Sequence, residues 1–70
     1  MKEKDFILSS EYIELVSLLK LLKIASTGGH AKMMIEEEEV LLNGNVETRK
    51  RAKLRKGDVI TAAEWKINIR

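Results

Sequence analysis

The residues best suited to chemistry in this 70-residue chain are the seven at 26–32, Ser-Thr-Gly-Gly-His-Ala-Lys, called here the Gly-Gly stretch. A hydroxyl residue followed by two glycines and a helix-compatible run is typical of a helix start, where the first backbone N–H groups have no partner within the helix. These N–H groups and the positive end of the helix dipole favour an anion such as phosphate. Lys32 adds a cation just inside the predicted helix. The stretch therefore predicts an anion-binding site, although Gly28 and Gly29 taken alone fit a flexible turn between two helices equally well.

A second candidate site is the basic segment, Arg49–Lys56, which holds six cations in eight residues. A polyanion such as a nucleic acid would supply the counter-charge, and a solvated surface run is the alternative. Phe6, Tyr12 and Trp65 are the only aromatic residues, which disfavours a protein that stacks successive bases of a single strand. Recognition of folded RNA through phosphates, shape and 2′-hydroxyls fits better, although charge alone does not exclude DNA.

Catalysis, cofactor binding and metal binding find little support in the residue types. His30 is the only histidine and there is no cysteine, so a nucleophile–base pair would depend on serine and this one imidazole. We expect His30 to cap, pack or contact phosphate. Zinc lacks ligands, and the consecutive glutamates of the acidic block, Glu36–Glu39, would make a poor cage for a hard cation. The sequence therefore predicts no enzyme, no cofactor and no metal.

Length and composition indicate one domain, residues 1–70, in which 44% of the residues are hydrophobic. That share is enough for a small core and too high for a disordered tail. No stretch approaches the roughly 20 apolar residues of a membrane span, and the N-terminal apolar run is too short for a secretory signal. We therefore expect a cytoplasmic protein that does not contact a membrane.

Two predicted helices flank the Gly-Gly stretch and would position it. In the first, apolar residues recur at the i, i+3, i+4, i+7 spacing of an amphipathic helix from Ile13 onward. Ser9 or Ser10 is a candidate N-terminal cap, and the helix should end near Ile24. The second helix should run from Gly29 to Glu37. It should bury the apolar residues Ala31, Met34 and Ile35.

Beyond the acidic block the sequence period changes from helical to alternating, which indicates short strands. Asn43-Gly44 is a strong hairpin signal, because both residues tolerate the positive φ of a type I′ turn. The predicted strands are Phe6–Leu8 as an edge strand or arm, Val40–Leu42, Asn45–Val46, Val59–Thr61 after a turn at Lys56–Asp58, and Glu64–Ile69. The basic segment is predicted to be an irregular loop. This order of helices and strands predicts a small α+β domain.

The order and spacing of these motifs resemble the αL RNA-binding motif of the S4 domain family, over about Tyr12 to Ile60. Residues 46–51, in an isolated short chain, are most similar to the free-standing bacterial YbcJ-like proteins. The resemblance is carried by Glu14-Leu15, Leu18–Lys20, the Gly-Gly stretch, Val40–Gly44 and Gly57–Ile60. It implies two N-terminal helices packed on a small, strongly bent antiparallel sheet.

The resemblance also implies a face that binds structured RNA, formed by the start of the second helix, the strand ending in Asn-Gly and the basic residues after it. Matching positions are Thr27, Gly28, Gly29, His30, Lys32, Asn43, Arg49, Lys50, Arg51 and Lys53, and the charge argument adds Lys20, Lys23 and Arg55. Two positions depart from the family pattern. Glu14 stands where many members carry arginine, and Glu38 stands where many carry glycine.

These observations predict a non-catalytic RNA-binding protein, acting on structured RNA, ribosomal RNA in particular, in ribosome assembly or quality control. A monomer is expected, and a ribosomal or assembly-factor protein is a further partner that the sequence leaves open. The alternative is a protein-interaction module that uses the acidic block with an exposed Leu21 or Val16. The RNA hypothesis requires the helix start and the basic segment to form one positive surface.

Overall fold

The computed structural model describes residues 1–70 and contains two helices and seven strands. In chain order these are β1 (Lys2–Phe6), β2 (Ile13–Glu14), α1 (Leu15–Leu21), α2 (Gly28–Glu36), β3 (Val40–Leu42), β4 (Asn45–Val46), β5 (Lys53–Leu54), β6 (Val59–Ala62) and β7 (Trp65–Ile69). Five strands form a sheet in the order β1-β7-β6-β3-β4, while β2 and β5 form a separate two-stranded pair.

The predicted α+β fold, with both helices packed on one sheet, is confirmed, with one correction to the strand directions. β1 runs parallel to β7, with Lys2 opposite Trp65 and Phe6 opposite Ile69, so the sheet is mixed rather than wholly antiparallel. The edge strand also begins earlier than predicted, at Lys2 instead of Phe6. Its parallel partner is the last strand of the chain, and the local pattern of residues 1–8 carries no information about that pairing.

Helix α1 is shorter than predicted, and the predicted serine cap is wrong. The cap residue is Glu14, whose side chain makes no capping bond. Instead, the backbone N–H groups of Leu15 and Val16 donate to carbonyl oxygens of the basic segment, at Ala52 and Lys50. A distant segment thus supplies the acceptors that a local hydroxyl would otherwise provide.

The left-handed backbone of Lys23, at φ 59°, ends α1 close to the predicted position. The backbone N–H groups of Ile24 and Ala25 both donate to the carbonyl of Leu19. This arrangement satisfies the last carbonyls of the helix as a Schellman motif does. It also turns the chain toward α2 within six residues.

Helix α2 spans 28–36, one residue earlier at each end than predicted, and it buries Ala31, Met34 and Ile35 as expected. It ends because Glu38 adopts a left-handed conformation with φ 61°. Glycine is the usual residue in that conformation. Glu38 therefore takes the backbone conformation of the glycine that the resemblance implies at this position.

The predicted hairpin is present. β3 and β4 pair antiparallel, with Leu42 opposite Asn45. Asn43 and Gly44 both have positive φ, at 51° and 88°, as a type I′ turn requires.

The core consists of fifteen buried residues, all of them hydrophobic. Among them are Ala52 and Leu54 of the basic segment, which the sequence pattern had assigned to an irregular loop. Leu54 belongs to β5 and lies opposite Ile13 of β2. The basic segment is therefore anchored in the core by its two apolar residues. Neither helix has the length and apolar character that a membrane crossing needs.

Packing predicts very different costs for two leucine truncations in α1. Leu18 is fully buried, while Leu21 is 60% exposed. Leu18→Ala should lower the free energy of unfolding by about 2–5 kcal/mol, since it leaves a cavity in a small core. Leu21→Ala, the matched control, should change it by less than about 0.5 kcal/mol. Urea unfolding followed by circular dichroism measures both, and equal losses would contradict the described packing.

Candidate nucleic-acid interface

The basic segment forms one wall of a surface groove because buried and exposed residues alternate along it. Ala52 and Leu54 point into the core, while Arg51, Lys53 and Arg55 are exposed. Successive side chains of an extended strand point to opposite sides, so three cations share one side. The groove has a volume of about 420 Å³ and is called here the basic groove. Its lining residues are Arg49, Arg51, Ala52, Lys53 and Arg55.

Tyr12 holds two of these cations without neutralising them. The Lys53 ammonium lies 4.9 Å from the centre of the Tyr12 ring, and the Arg55 guanidinium carbon lies 5.8 Å from it. An aromatic face attracts a cation through its quadrupole. Neither Lys53 nor Arg55 forms an ion pair with a carboxylate of the chain. Both charges are therefore positioned and still available to an external anion. Tyr12 was not among the predicted site residues.

Arg49 is held by a carboxylate two residues earlier in the chain. Its guanidinium donates from Nε and Nη2 to the two oxygens of Glu47, at 3.0 and 3.1 Å, and its backbone N–H donates to Oε2 at 3.0 Å. This guanidinium holds the pKa of Glu47 below its usual range. The side chain of Glu47 is only 12% exposed. Glu47 thus fixes both the backbone and the guanidinium of Arg49.

Lys50 and Arg51 are each paired with a carboxylate from a different helix end. The Lys50 ammonium lies against Glu36 in the last turn of α2, and it lowers the pKa of Glu36. Arg51 donates from Nε to Glu14 at 3.0 Å, just before α1. All three consecutive cations at 49–51 therefore have a carboxylate partner within the chain.

The remaining acidic block is exposed. Glu39 lies close to Glu37 and raises its pKa through a shared hydrogen bond and charge repulsion. No three side chains of histidine, cysteine, aspartate or glutamate are arranged so that they could hold a metal ion. Of the four glutamates, Glu36 is the one that contacts the basic segment.

The start of α2 has the geometry that the Gly-Gly stretch predicts. Thr27 is the cap residue, and its hydroxyl accepts from the backbone N–H of His30 at 3.0 Å. The N–H groups of Gly28 and Gly29 donate to no acceptor of the chain. Neither glycine has a positive φ, and a Cβ at Gly28 would meet no atom within 4 Å. The fold does not require glycine at position 28. The N–H groups of Gly28 and Gly29 are open to an external anion because the chain offers them no acceptor.

His30 has a defined role at this helix start. Its Nδ1 accepts from the backbone N–H of Ser26 at 3.2 Å. A backbone N–H is always a donor, so Nδ1 must carry a lone pair and the proton of the neutral ring lies on Nε2. His30 therefore holds the backbone of Ser26, the residue before the cap, and Nε2–H is left as a donor.

The predicted cations near the helix start are all exposed. Lys23 lies in the turn before α2, and Lys32 lies on α2. Lys20 lines a second groove of about 400 Å³ on the outer side of α1, with Ile13, Ser17 and Leu21. Val16, expected to be exposed, is instead partly buried against the core.

The structure does not bring the helix start and the basic segment into direct contact. Lys50 meets Glu36 at the C-terminal end of α2, whereas the Gly-Gly stretch forms the N-terminal end. The nine residues of α2 span about 13 Å. The cations of the basic segment and those around the Gly-Gly stretch are called here the two positive clusters, and the single surface that they would form together stays a prediction.

Both the oxygen and the nitrogen of the Asn43 side-chain amide form hydrogen bonds within the chain. Its Oδ1 accepts from the backbone N–H of Val59 at 2.8 Å, and its Nδ2 donates to Asp58 at 3.1 Å. It links the hairpin turn to the turn that follows the basic groove. Direct contact of Asn43 with RNA stays a prediction.

Comparison with known proteins agrees with this architecture. A model of the S4 domain matches residues 6–70 of the chain. The chain belongs to the S4 domain family. It is 38% identical over 58 residues to YbcJ of Escherichia coli (strain K12), and the aligned region covers 83% of each protein. It is 40% identical over 53 residues to RlbA of Bacillus subtilis (strain 168), covering 76% of this chain and 75% of RlbA, which is named as a probable ribosome maturation protein.

The solution structure of Escherichia coli YbcJ matches this S4 domain with a TM-score of 0.71 and 36% identity. The match covers 93% of this chain and 84% of YbcJ, whose structure is described as revealing an αL motif involved in RNA binding. Within this shared fold, Glu14 stands where many S4 domains carry arginine. Here it binds Arg51 of the basic segment, so a guanidinium still lies at the start of α1.

The Glu47–Arg49 pair predicts a pH-dependent contribution to stability. Because Arg49 lowers the pKa of Glu47, the stabilisation is present above the pKa of Glu47 in the unfolded chain and is lost as pH falls through its lowered, folded-state pKa. Glu47→Gln should therefore lower the free energy of unfolding at neutral pH, by up to about 1 kcal/mol. The difference from wild type should shrink on acidification.

Urea titrations of wild type and variant at several pH values measure this difference. Glu11→Gln, which removes a glutamate outside every ion pair, is the matched control. A Glu47→Gln difference that stays constant from neutral to acidic pH would refute the role assigned to this carboxylate.

Proposed function

We propose that this S4 domain is a non-catalytic protein that binds structured RNA, with ribosomal RNA as its target in ribosome assembly or quality control. The observation that carries the proposal is the basic groove, in which Lys53 and Arg55 are exposed, held by Tyr12 and free of carboxylate partners. The αL motif described for YbcJ and the name of RlbA support it.

In this proposal the groove binds the phosphate backbone. Lys53 lies in β5 and Arg55 follows that strand directly, and both cationic groups lie over the Tyr12 ring. Both are therefore placed to contact the same stretch of phosphate backbone. Arg49 and Arg51 contribute as lining residues of the groove, and Lys50 lies between them in the chain. Their guanidinium and ammonium groups keep donors beyond those used by their carboxylate partners.

The start of α2 provides the second contact. Its open N–H groups at Gly28 and Gly29 bind a phosphate, with Thr27, His30 Nε2–H and the nearby cations Lys20, Lys23 and Lys32 around it. A ligand that reaches from Lys50, which pairs with Glu36 in the last turn of α2, to the first turn of that helix must extend over roughly 13 Å. A folded RNA segment meets this requirement and a mononucleotide does not.

The same proposal sets the surroundings of the protein. It acts in the cytoplasm as a monomer, without a cofactor, a metal or a membrane. A ribosomal or assembly-factor protein is its additional partner on the RNA.

Charge reversal within the groove tests the proposal. Lys53→Glu should weaken binding to a labelled stem–loop from ribosomal RNA and reduce the slope of log affinity against log salt by about 1, because one phosphate contact is lost. Lys66→Glu, on β7, makes the same charge change at an exposed position away from both clusters. It should leave the slope unchanged.

Fluorescence anisotropy at four or more salt concentrations gives both slopes, and circular dichroism checks that each variant is folded. The proposal fails if wild-type affinity does not depend on salt, or if the two variants lose affinity equally. Duplex DNA of equal length is the competitor, and equal affinity for it would argue against RNA as the target.

A protein-interaction module is the second candidate, and the groove on the outer side of α1 favours it. Leu21 lines this groove and is 60% exposed. Affinity capture from cell extract, with and without ribonuclease, separates the two functions. Protein partners that survive digestion and are lost in Leu21→Ser would support the module, whereas partners lost on digestion support RNA binding.

A further inference from the structure

Two polar side chains outside the groove, those of Asn43 and Asp58, connect the groove residue Arg55 to the sheet. Asn43 lies in the turn between β3 and β4, and Asp58 lies just before β6. Asn43 donates from its backbone N–H to the carbonyl of Val59 at 2.7 Å and accepts at Oδ1 from the N–H of Val59 at 2.8 Å. The asparagine thereby extends the pairing of β3 with β6 beyond its last residue pair, Leu42 with Ile60.

The carboxylate of Asp58 uses its two oxygens on two different segments. Oδ1 accepts from Nδ2 of Asn43 at 3.1 Å, and Oδ2 accepts from the backbone N–H of Arg55 at 2.8 Å. The backbone N–H of Asp58 in turn donates to the carbonyl of Arg55 at 3.0 Å. The Asp58 carboxylate forms no ion pair with the Arg55 guanidinium.

Asp58 binds the backbone of Arg55 and not its guanidinium. The acid holds the backbone of Arg55 while the guanidinium stays over the Tyr12 ring. Hydrogen bonds from Arg55 to Asp58 and from Asp58 to Asn43 thus join the backbone of Arg55 to the hairpin turn. The guanidinium of Arg55 stays without a carboxylate partner. A charged hydrogen bond of this kind is stronger than a neutral one.

We propose that Asn43 and Asp58 are positioning residues of the RNA interface, which set the place of Arg55 without contacting RNA. This inference rests on the proposed RNA-binding function. It assigns Asn43 a role different from the direct contact suggested by its position in the family motif.

Exchanging the two side chains provides the test. In Asn43→Asp, the new carboxylate faces that of Asp58. In Asp58→Asn, the new amide has only one oxygen, so it cannot accept both from Nδ2 of Asn43 and from the backbone N–H of Arg55. Its nitrogen therefore faces another donor. The double variant N43D/D58N restores all the bonds: the new aspartate accepts from Val59 and from the new asparagine, whose oxygen accepts from Arg55. Aspartate also tolerates the positive φ of position 43, and the net charge of the double variant equals that of wild type.

We expect each single variant to lose affinity for the labelled stem–loop RNA by about tenfold, the low end of the cost of one hydrogen bond to a charged group. The double variant should return to within about twofold of wild type. Amide hydrogen exchange of Arg55 and Val59, measured by NMR without RNA, should rise in the single variants and recover in the double variant. All measurements are made where circular dichroism shows each variant to be folded.

The outcomes separate the inference from the function on which it rests. Recovery of both RNA affinity and amide protection in the double variant supports positioning. Recovery of protection without recovery of affinity overturns it and makes Asn43 a direct RNA contact. Single variants that lose protection but bind RNA as wild type also overturn it. Absence of RNA binding by the wild-type protein overturns the proposed function and, with it, this inference.

Discussion

The burial of Ala52 and Leu54 is the constraint on which the rest of the structure depends. These two residues are 4% and 0% exposed, and each is flanked by cations. Since neighbouring side chains of an extended segment point to opposite sides, placing both in the core forces Arg51, Lys53 and Arg55 outward together. Without the anchor, electrostatic repulsion would separate six closely spaced cations. The free energy gained by burying Ala52 and Leu54 therefore offsets the repulsion among the cations of the groove.

The same anchored segment also completes the helical part of the fold. Its carbonyl groups at Lys50 and Ala52 accept from the first N–H groups of α1, and β5 pairs with β2 immediately before that helix. The segment thus replaces a local cap, and the surface cluster and the helix start depend on one another. Loss of the two buried apolar residues would disturb both.

Sequence periodicity was sufficient for the elements whose signals are local. The buried face of α2 and the Asn43-Gly44 hairpin follow from spacing and from turn residues that tolerate positive φ, and the structure contains both. Two left-handed residues, Lys23 and Ala63, carry no such signal. Lys23 lies in the C-terminal cap of α1, and Ala63 lies in the two-residue turn between β6 and β7. The geometry of these connections holds conformations that neither residue type prefers.

The features that the sequence did not predict depend on pairs far apart in the chain. The parallel partner of β1 is the last strand, 63 residues away in the register that joins Lys2 to Trp65. Arg51 and Glu14 are 37 residues apart, and Tyr12 meets Lys53 only because β2 pairs with β5. Charge runs counted along the chain showed which residues are basic. They did not show which of those charges the fold itself neutralises.

That distinction divides the work within the basic segment. Arg49, Lys50 and Arg51 each have a carboxylate partner, so binding a phosphate there requires the phosphate to share or replace that partner, and the net electrostatic gain is small. Lys53 and Arg55 are held by an aromatic ring that leaves their charge intact. In the proposed function, the paired cations would therefore mainly shape the groove, and the unpaired cations would supply most of its attraction for a polyanion. Because exposed ion pairs contribute little to stability, the carboxylate partners of Lys50 and Arg51 are better understood as fixing geometry than as stabilising the fold.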